Sequence, residues 1–171
     1  MLRKYPVRKD PRDLRDMQFM SSVYASPASL PPSVDLRSKM SPVVDQGQLG
    51  SCTANAIVSG LREYLMLQHG GTYTPLSRLY LYWHERQLEG NVNEDAGAYI
   101  RDGMKVLQKN GVCPEADYPY VPSHFREAPT PQAESGAHFF SDWRISPCCR
   151  PVRAQSGASR AAACSHRHAD L

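Results

Sequence analysis

The sequence predicts a mainly helical unit with little β-strand, flanked by irregular segments at both ends. Three stretches place apolar residues at three- and four-residue steps and stop at glycine or asparagine, which is the pattern of amphipathic helices. Alternating apolar and polar runs, which would indicate strands, are sparse. A length of 171 residues suits one domain with a single core and is short for two lobes around a cleft.

The first predicted helix is the central one and begins at Cys52, after a loop that contains Gly47 and Gly50. One face is marked by residues at helical steps, and Gly70-Gly71 supplies the stop: Ile57, Leu61, Tyr64, Leu65 and Gln68. A second helix is expected from Ser77, which can cap it, to the breaker Gly90-Asn91. A third is expected from about Gly97 to Lys109, before Asn110-Gly111.

The chain divides into three parts by composition. Residues 1–33 are charged and rich in proline and predict an extended lead-in that drapes over the core. Residues 34–128 hold the helical unit, and residues 129–171 predict a linker and a disordered tail, because the last 26 residues contain few branched aliphatic side chains. The Arg/Ala/Ser/Cys/His bias of that tail suggests a frameshift after about residues 139–145, which sequencing of the gene would test.

Charge and cysteine content exclude several classes of protein. The formal net charge is +3, from 20 basic and 17 acidic residues, and no basic stripe interleaved with aromatics predicts a nucleic-acid partner. No apolar stretch is long enough for a secretory signal or a membrane span, so we expect a soluble, cytoplasmic protein that does not bind membranes. Five cysteines, an odd number, do not predict a disulfide framework.

Cys52 is the candidate nucleophile. A helix N-terminus can lower the pKa of a thiol, and Gly47 and Gly50 let the backbone amides approach a reacting carbonyl. Gln46 lies just upstream, where it can join the Cys52 N–H in an oxyanion hole. This spacing predicts acyl transfer through a thioester, whereas an isolated cysteine at a helix start is more often a small buried apolar residue.

The string Gln46-Gly47-Gln48-Leu49-Gly50-Ser51-Cys52-Thr53-Ala54 resembles the active-cysteine motif of papain-like peptidases. Thr53, in place of the usual aromatic residue, is similar to the prokaryotic branch of that family. Further blocks resemble the family in the same order: Leu76-Ser77, the glycine segment 94–103, and residues 110–115 and 118–120. The resemblance covers about residues 30–120.

This resemblance implies an α+β, papain-like fold of which the chain carries the mainly helical left-hand lobe. It implies that Cys52 is the nucleophile and Gln46 the oxyanion-hole side chain. It also implies that Gly97 aligns a peptide or protein substrate as an added strand, beside Gly50 and Ser51, without a cofactor or metal. A glycine at a helix start, chosen for close packing, is an equal alternative for Gly97. Cys113 is expected to pack as a small apolar residue or to pair structurally.

The general base of the family is not recognisable in the sequence. The resemblance implies a histidine after glycine and an asparagine before Ser-Trp-Gly, and neither motif is present. His69 lies 17 residues from Cys52 on one helix, about 25 Å away. We expect His84 to be solvated or capping, and the remaining histidines to lie in loops or tail: His124, His138, His166 and His168.

A zinc site in the tail is disfavoured by its spacing. The tail clusters five residues of ligand type: Cys148, Cys149, Cys164, His166 and His168. Structural zinc sites prefer two cysteines separated by a short turn, whereas adjacent cysteines point apart.

Three functions therefore remain open on the sequence. The chain is a papain-like thiol peptidase whose second lobe lies elsewhere, an inactive fragment of that family, or a helical interaction module that keeps the motif by descent. Without a second lobe, an exposed lobe interface should promote self-association.

Overall fold

The computed structural model of the chain describes residues 6–14, 16 and 31–138. In this part, strand is limited to two elements of two residues each, and the rest of the regular structure is helical. The strands are β1 (Val7–Arg8) and β2 (Ala98–Tyr99), and the helices are α1 (Cys52–Asn55), a π-helix (Ala56–Arg62), α2 (Glu63–Gln68), α3 (Arg78–Glu89), α4 (Ile100–Asn110) and α5 (Pro131–Ala137), with 3₁₀ turns at Arg37–Lys39 and Pro122–His124.

The predicted central helix is present, but its middle is a π-helix. One continuous helical run consists of α1, the π-helix Ala56–Arg62 and α2. It ends before Gly70, whose φ of 76° is left-handed. A π-turn shifts the following side chains around the axis, so the predicted apolar face does not extend through α2. Ile57 is buried, but Gln68 is exposed, and the buried residue of α2 is Glu63, which accepts a hydrogen bond from the Leu76 N–H at 2.9 Å.

Helix α3 forms the centre of the core. Ser77 caps it as predicted, since its hydroxyl accepts from the Tyr80 N–H at 3.1 Å. Its first nine residues, Arg78 to Arg86, are all buried, and the left-handed Gly90 ends it. Arg86 is fully buried, and its guanidinium donates to backbone carbonyls of the loops that follow, including that of Phe125.

Helix α4 begins at Ile100, three residues later than predicted, because Ala98 and Tyr99 are extended and pair with the N-terminal segment. It crosses the core at Gly103. A Cβ there would lie 2.4 Å from Ile57 Cδ1 and 2.2 Å from Glu85 Oε1, so only glycine lets the helix approach this closely.

The packed core extends beyond residue 128, where the sequence places the end of the lobe. Helix α5 is capped by Thr130 and buries Ala133 and Ala137, and Tyr80 donates to Glu134 at 2.7 Å. Cys113 is a free, buried cysteine in the same core, as the apolar alternative predicted. The tail from residue 139 onwards lies outside the described residues.

The described part of the N-terminal segment lies along one edge of the lobe. β1 pairs parallel with β2, with Val7 opposite Ala98 and Arg8 opposite Tyr99. Arg8 forms an ion pair with Glu89 at 2.9 Å, and Arg101 bonds Asp13 and Asp16 at 3.2 and 2.7 Å. These contacts hold residues 6–14 and 16 against the lobe, and a lead-in over residues 1–33 stays a prediction.

Candidate active site

Cys52 is the first residue of α1 and is half-buried, so its thiol combines a fixed backbone with access from solvent. The preceding loop turns at Gly47, whose φ is 65°, and its last residues, Gly50 and Ser51, are buried. The sequence-predicted candidates Gln46, Gly50, Ser51 and Cys52 are therefore brought together by one short loop.

One side of this loop is held by three side chains that the sequence did not single out. Tyr120 donates its hydroxyl to the Gln46 carbonyl at 2.9 Å. Asn55 donates to the Ser51 carbonyl at 2.9 Å, and Arg78 donates to Asn55 Oδ1 at the same distance. The Arg78 guanidinium also stacks over the Tyr120 ring, 4.0 Å from its centroid.

The other side of the loop is held by Asp95 and Tyr82. The Gly50 N–H donates to Asp95 Oδ1 at 2.9 Å, and the Tyr82 hydroxyl donates to the same oxygen at 2.6 Å. These residues also escaped the sequence analysis, because they lie 45 and 32 positions along the chain from Gly50.

Gln46 places its side-chain amide within the loop. Its Nε2 donates one hydrogen to the Leu49 carbonyl at 2.9 Å. A primary amide carries two N–H donors, so the second remains for a ligand. Its assignment to an oxyanion hole stays a prediction.

Gly50 and Gly97 face each other across Pro6. A Cβ on Gly50 would lie 2.7 Å from Pro6 Cγ, and one on Gly97 would lie 1.9 Å from the Pro6 carbonyl oxygen. Gly97 also has a φ of 71°, which other residues adopt at a cost. Gly97 lies three residues before α4, which begins at Ile100, so it is not the first residue of that helix. We call the space between Gly50 and Gly97 that Pro6 occupies the groove, and the assignment of Gly97 to substrate stays a prediction.

The electrostatics at Cys52 differ from the expectation of a thiol activated by its helix. Burial raises the pKa of the Cys52 thiol, and the negative charges of Glu85 and Asp95 add to the rise. The N–H groups of Cys52 and Thr53 lower this pKa but do not offset burial. In the chain alone, desolvation therefore outweighs the helix N-terminus.

We therefore expect the alkylation of Cys52 by iodoacetamide to show an apparent pKa above the ~8.5 of a free thiol. The rate should be followed from pH 6 to 10 by mass spectrometry of the Cys52 peptide, with Cys52→Ala as the blank. Cys113 provides an internal contrast, because burial raises its pKa to about 12. An apparent pKa below that of free cysteine would contradict this prediction and restore activation by the helix.

His84 and His124, two of the described histidines, contact glutamates rather than Cys52. The sequence predicts a solvated or capping His84, but His84 is buried, because it packs against Tyr80 and Trp83 on its own helix. Its Nε2 lies 3.1 Å from Glu134, and burial lowers its pKa. His124 lies near Glu127, and both His69 and His138 are exposed.

The cysteines and histidines of the disfavoured zinc site, Cys148, Cys149, Cys164, His166 and His168, lie outside the described residues. Among residues 6–14, 16 and 31–138, no group of three or more His, Cys, Asp or Glu side chains could hold a metal ion. Within the same part of the chain, no helix is long and apolar enough to cross a membrane.

Comparisons with curated proteins find relatives that are peptidases by name. The chain is 47% identical over 91 residues to an uncharacterised peptidase C1-like protein of Acanthamoeba polyphaga mimivirus, covering 53% of this chain and 29% of the relative. It is 32% identical over 103 residues to cysteine proteinase 3 of Entamoeba histolytica, covering 58% of this chain and 31% of the relative. The chain thus spans about a third of these relatives' length.

Among solved structures, the chain matches xylellain, a cysteine protease from Xylella fastidiosa, with a TM-score of 0.69 and 37% identity. The match covers 80% of this chain and 55% of xylellain. The sequence-based expectation of a papain-like α+β fold, represented by its mainly helical lobe, is confirmed. A family model described as papain family cysteine protease also matches residues 30–165. The chain therefore belongs to the papain family of cysteine proteases.

Proposed function

We propose that this chain supplies the nucleophile and one wall of a papain-type peptidase site. The Cys52 sulfur attacks the carbonyl carbon of a peptide bond, a thioester forms as the amine leaves with a proton, and water then hydrolyses the thioester to an acid and the free thiol. Support comes from the family membership and from the loop that presents Cys52 at the start of α1.

The oxyanion of each tetrahedral intermediate is assigned to the Cys52 N–H and the side chain of Gln46. The Gln46 backbone is fixed by Tyr120, and one N–H of its side-chain amide is available. In comparable sites one such donor contributes about 3 kcal/mol to transition-state stabilisation. Thr53 supports the prokaryotic branch of the family as the origin of the motif.

The proposal of a peptide substrate rests on the N-terminal segment of the chain, which lies in the groove. Pro6 contacts both Gly50 and Gly97, and the next two residues continue as β1 along β2. The groove thus accepts an extended backbone, which is the conformation of a peptide bound by strand addition. We assign Gly97 and Gly50 to peptide or protein substrate on this ground. Ser51 is assigned with them only by its place between Gly50 and Cys52, because its side chain is buried and bonded to the Tyr120 hydroxyl.

The general base is assigned to residues outside the described part of the chain or to another chain. His84 and His124 are engaged elsewhere, and the raised pKa of Cys52 is what a site without its imidazolium should show. The family match continues to residue 165, past the point at which the frameshift hypothesis begins, and that hypothesis stays a prediction.

The alternative functions are an inactive fragment and a helical interaction module. The raised pKa of Cys52 agrees with them as well as with a peptidase site whose base lies elsewhere. Self-association also stays a prediction. It is supported by exposed apolar side chains that precede the nucleophile loop, which we define as residues 46–51 before Cys52: Val34, Leu36, Val43 and Val44. The balanced charge supports a function without nucleic acid, and a cytoplasmic location remains a proposal.

An affinity label tests the proposal without requiring a base. We expect iodoacetyl derivatives of a dipeptide panel to modify Cys52 faster than iodoacetamide does, with rates that saturate as the reagent concentration rises. The reactive group is the same in both reagents, so the ratio of rates reports binding in the groove. Mass spectrometry identifies the modified cysteine, and Cys52→Ala is the control.

The N-terminal segment must be included in this design, because Pro6 lies in the same groove. The Arg8→Ala variant, which lacks the ion pair with Glu89, should be labelled in parallel and should react at least as fast as the wild type. A ratio no higher than that of a free cysteine peptide, in both proteins, would reject the peptidase site and leave the interaction module.

A further inference from the structure

Asp95 connects the two walls of the groove through a short chain of hydrogen bonds. Its two carboxylate oxygens lie 2.9 and 3.1 Å from the Gly50 nitrogen. The Tyr82 hydroxyl donates to Asp95 Oδ1 at 2.6 Å and accepts from the Gly97 N–H at 3.3 Å. The wall at Gly97 is thereby joined to the backbone two residues before Cys52.

The fixed point of this chain is the buried Tyr82. Tyr82 is fully buried in α3, and the guanidinium of Arg86 lies 4.3 Å from the centroid of its ring. Burial raises the pKa of the Tyr82 hydroxyl, which therefore keeps its proton and donates it to Asp95. Asp95 is itself exposed, but its Oδ1 is directed to this buried partner.

The loop is shaped to accept this carboxylate. A Cβ at Gly50 would lie 2.9 Å from Asp95 Oδ1, so a larger residue would displace the aspartate. Glycine at this position thus permits both the contact with Pro6 and the bond to Asp95.

Electrostatics alone do not explain an aspartate at this position. The pKa of the Cys52 thiol is raised mainly by burial, and the negative charges of Glu85 and Asp95 raise it further. The charge of Asp95 therefore disfavours the thiolate. Any benefit of Asp95 to the reaction must therefore come from geometry.

We propose that Asp95 is a positioning residue, which fixes the nucleophile loop at Gly50 relative to the groove wall at Gly97 and so sets how a bound peptide meets Cys52. The inference rests on the proposed function and adds to it the residue that fixes the position of Gly50 relative to Gly97.

The test compares the rates at which an iodoacetyl dipeptide and iodoacetamide modify Cys52. Within one protein, the ratio of the two rates cancels any change in the thiolate fraction. We expect Asp95→Ala to lower this ratio roughly ten- to a hundredfold, as expected when a reacting group is misplaced by about 1 Å. Asp95→Asn should recover most of the ratio, because its amide oxygen can still accept from the Gly50 N–H.

Two further variants separate positioning from a general loss of stability. Tyr82→Phe removes only the hydroxyl and should lower the ratio less than Asp95→Ala. Glu63 on α2 also accepts a backbone N–H with its carboxylate, that of Leu76, but it does not lie between the two walls. Glu63→Ala should therefore leave the ratio unchanged. If Asp95→Ala fails to fold, Tyr82→Phe and Asp95→Asn still decide the question.

The possible failures are distinguishable. A high wild-type ratio that Asp95→Ala leaves unchanged would overturn the positioning role and preserve the proposed function. An equal fall in Glu63→Ala would show a loss of stability alone and would also overturn it. A wild-type ratio no higher than that of a free cysteine peptide would instead reject the proposed function.

Discussion

Replacing Glu85 by glutamine is expected to make the protein more stable at neutral pH. Glu85 is fully buried, with its carboxyl beside Thr53 of α1 and Gly103 of α4, and burial raises its pKa from 4.5 to about 8 despite the hydrogen bond from Thr53. Between these two values the unfolded chain releases the proton while the folded chain keeps it. Stability must therefore fall as the pH rises from about 4.5 to about 8.

Glutamine has no proton to release, so the variant should lack this slope. The difference in unfolding free energy between the two proteins should grow by at most about 1.4 kcal/mol per pH unit, to on the order of 3 kcal/mol at pH 7. Urea unfolding at pH 5, 6, 7 and 8 measures it. Subtracting one protein from the other removes the contributions of groups that both share, including His84.

Glu89, one turn further along α3, provides the matched control. It is paired with Arg8 at 2.9 Å and accepts from the Tyr99 N–H at 3.0 Å, so Glu89→Gln should weaken the fold rather than stabilise it. A wild-type protein whose stability relative to Glu85→Gln is constant from pH 5 to 8 would refute the raised pKa of Glu85.

A purified protein of residues 1–171 is expected to hydrolyse fluorogenic peptides no faster than its Cys52→Ala variant. A papain-type site requires an imidazolium, which favours the thiolate and protonates the leaving amine. His84 and His124 contact glutamates rather than Cys52, and the pKa of Cys52 is raised rather than lowered. A positioned nucleophile and an oxyanion hole alone retain only a small residual of the full acceleration.

The assay compares both proteins on a panel of peptides under reducing conditions, after circular dichroism has shown that both fold. Turnover that depends on Cys52 would refute the prediction and show that a base is present. Alanine replacement of four histidines, one at a time, would then locate that base: His124, His138, His166 and His168.

Much of the local structure could be predicted from the sequence, because helix starts and stops depend on neighbouring residues. Ser77 caps α3 and Gly90 ends it at the expected places, and the loop before Cys52 has the predicted turn. The candidate nucleophile Cys52 and the resemblance to the family lie in one continuous string, so no tertiary information was needed to predict them.

The errors have a common physical cause. The π-helix, the late start of α4 and the packing of α5 depend on distant partners rather than on periodicity. His84 has a polar side chain that predicts exposure, but its ring packs on Tyr80 and Trp83 of its own helix and meets Glu134 of the distant α5.

The sequence by itself determined the helical lobe, the choice of Cys52 as candidate nucleophile and the family to which the chain belongs. Only the tertiary structure decided how Cys52 is held and how its thiol is charged. The bonds from Gly50 to Asp95 and from Tyr120 to Gln46 join residues 45 and 74 positions apart. Such contacts have no local signature, and the desolvation that raises the Cys52 pKa exists only once the helices have packed.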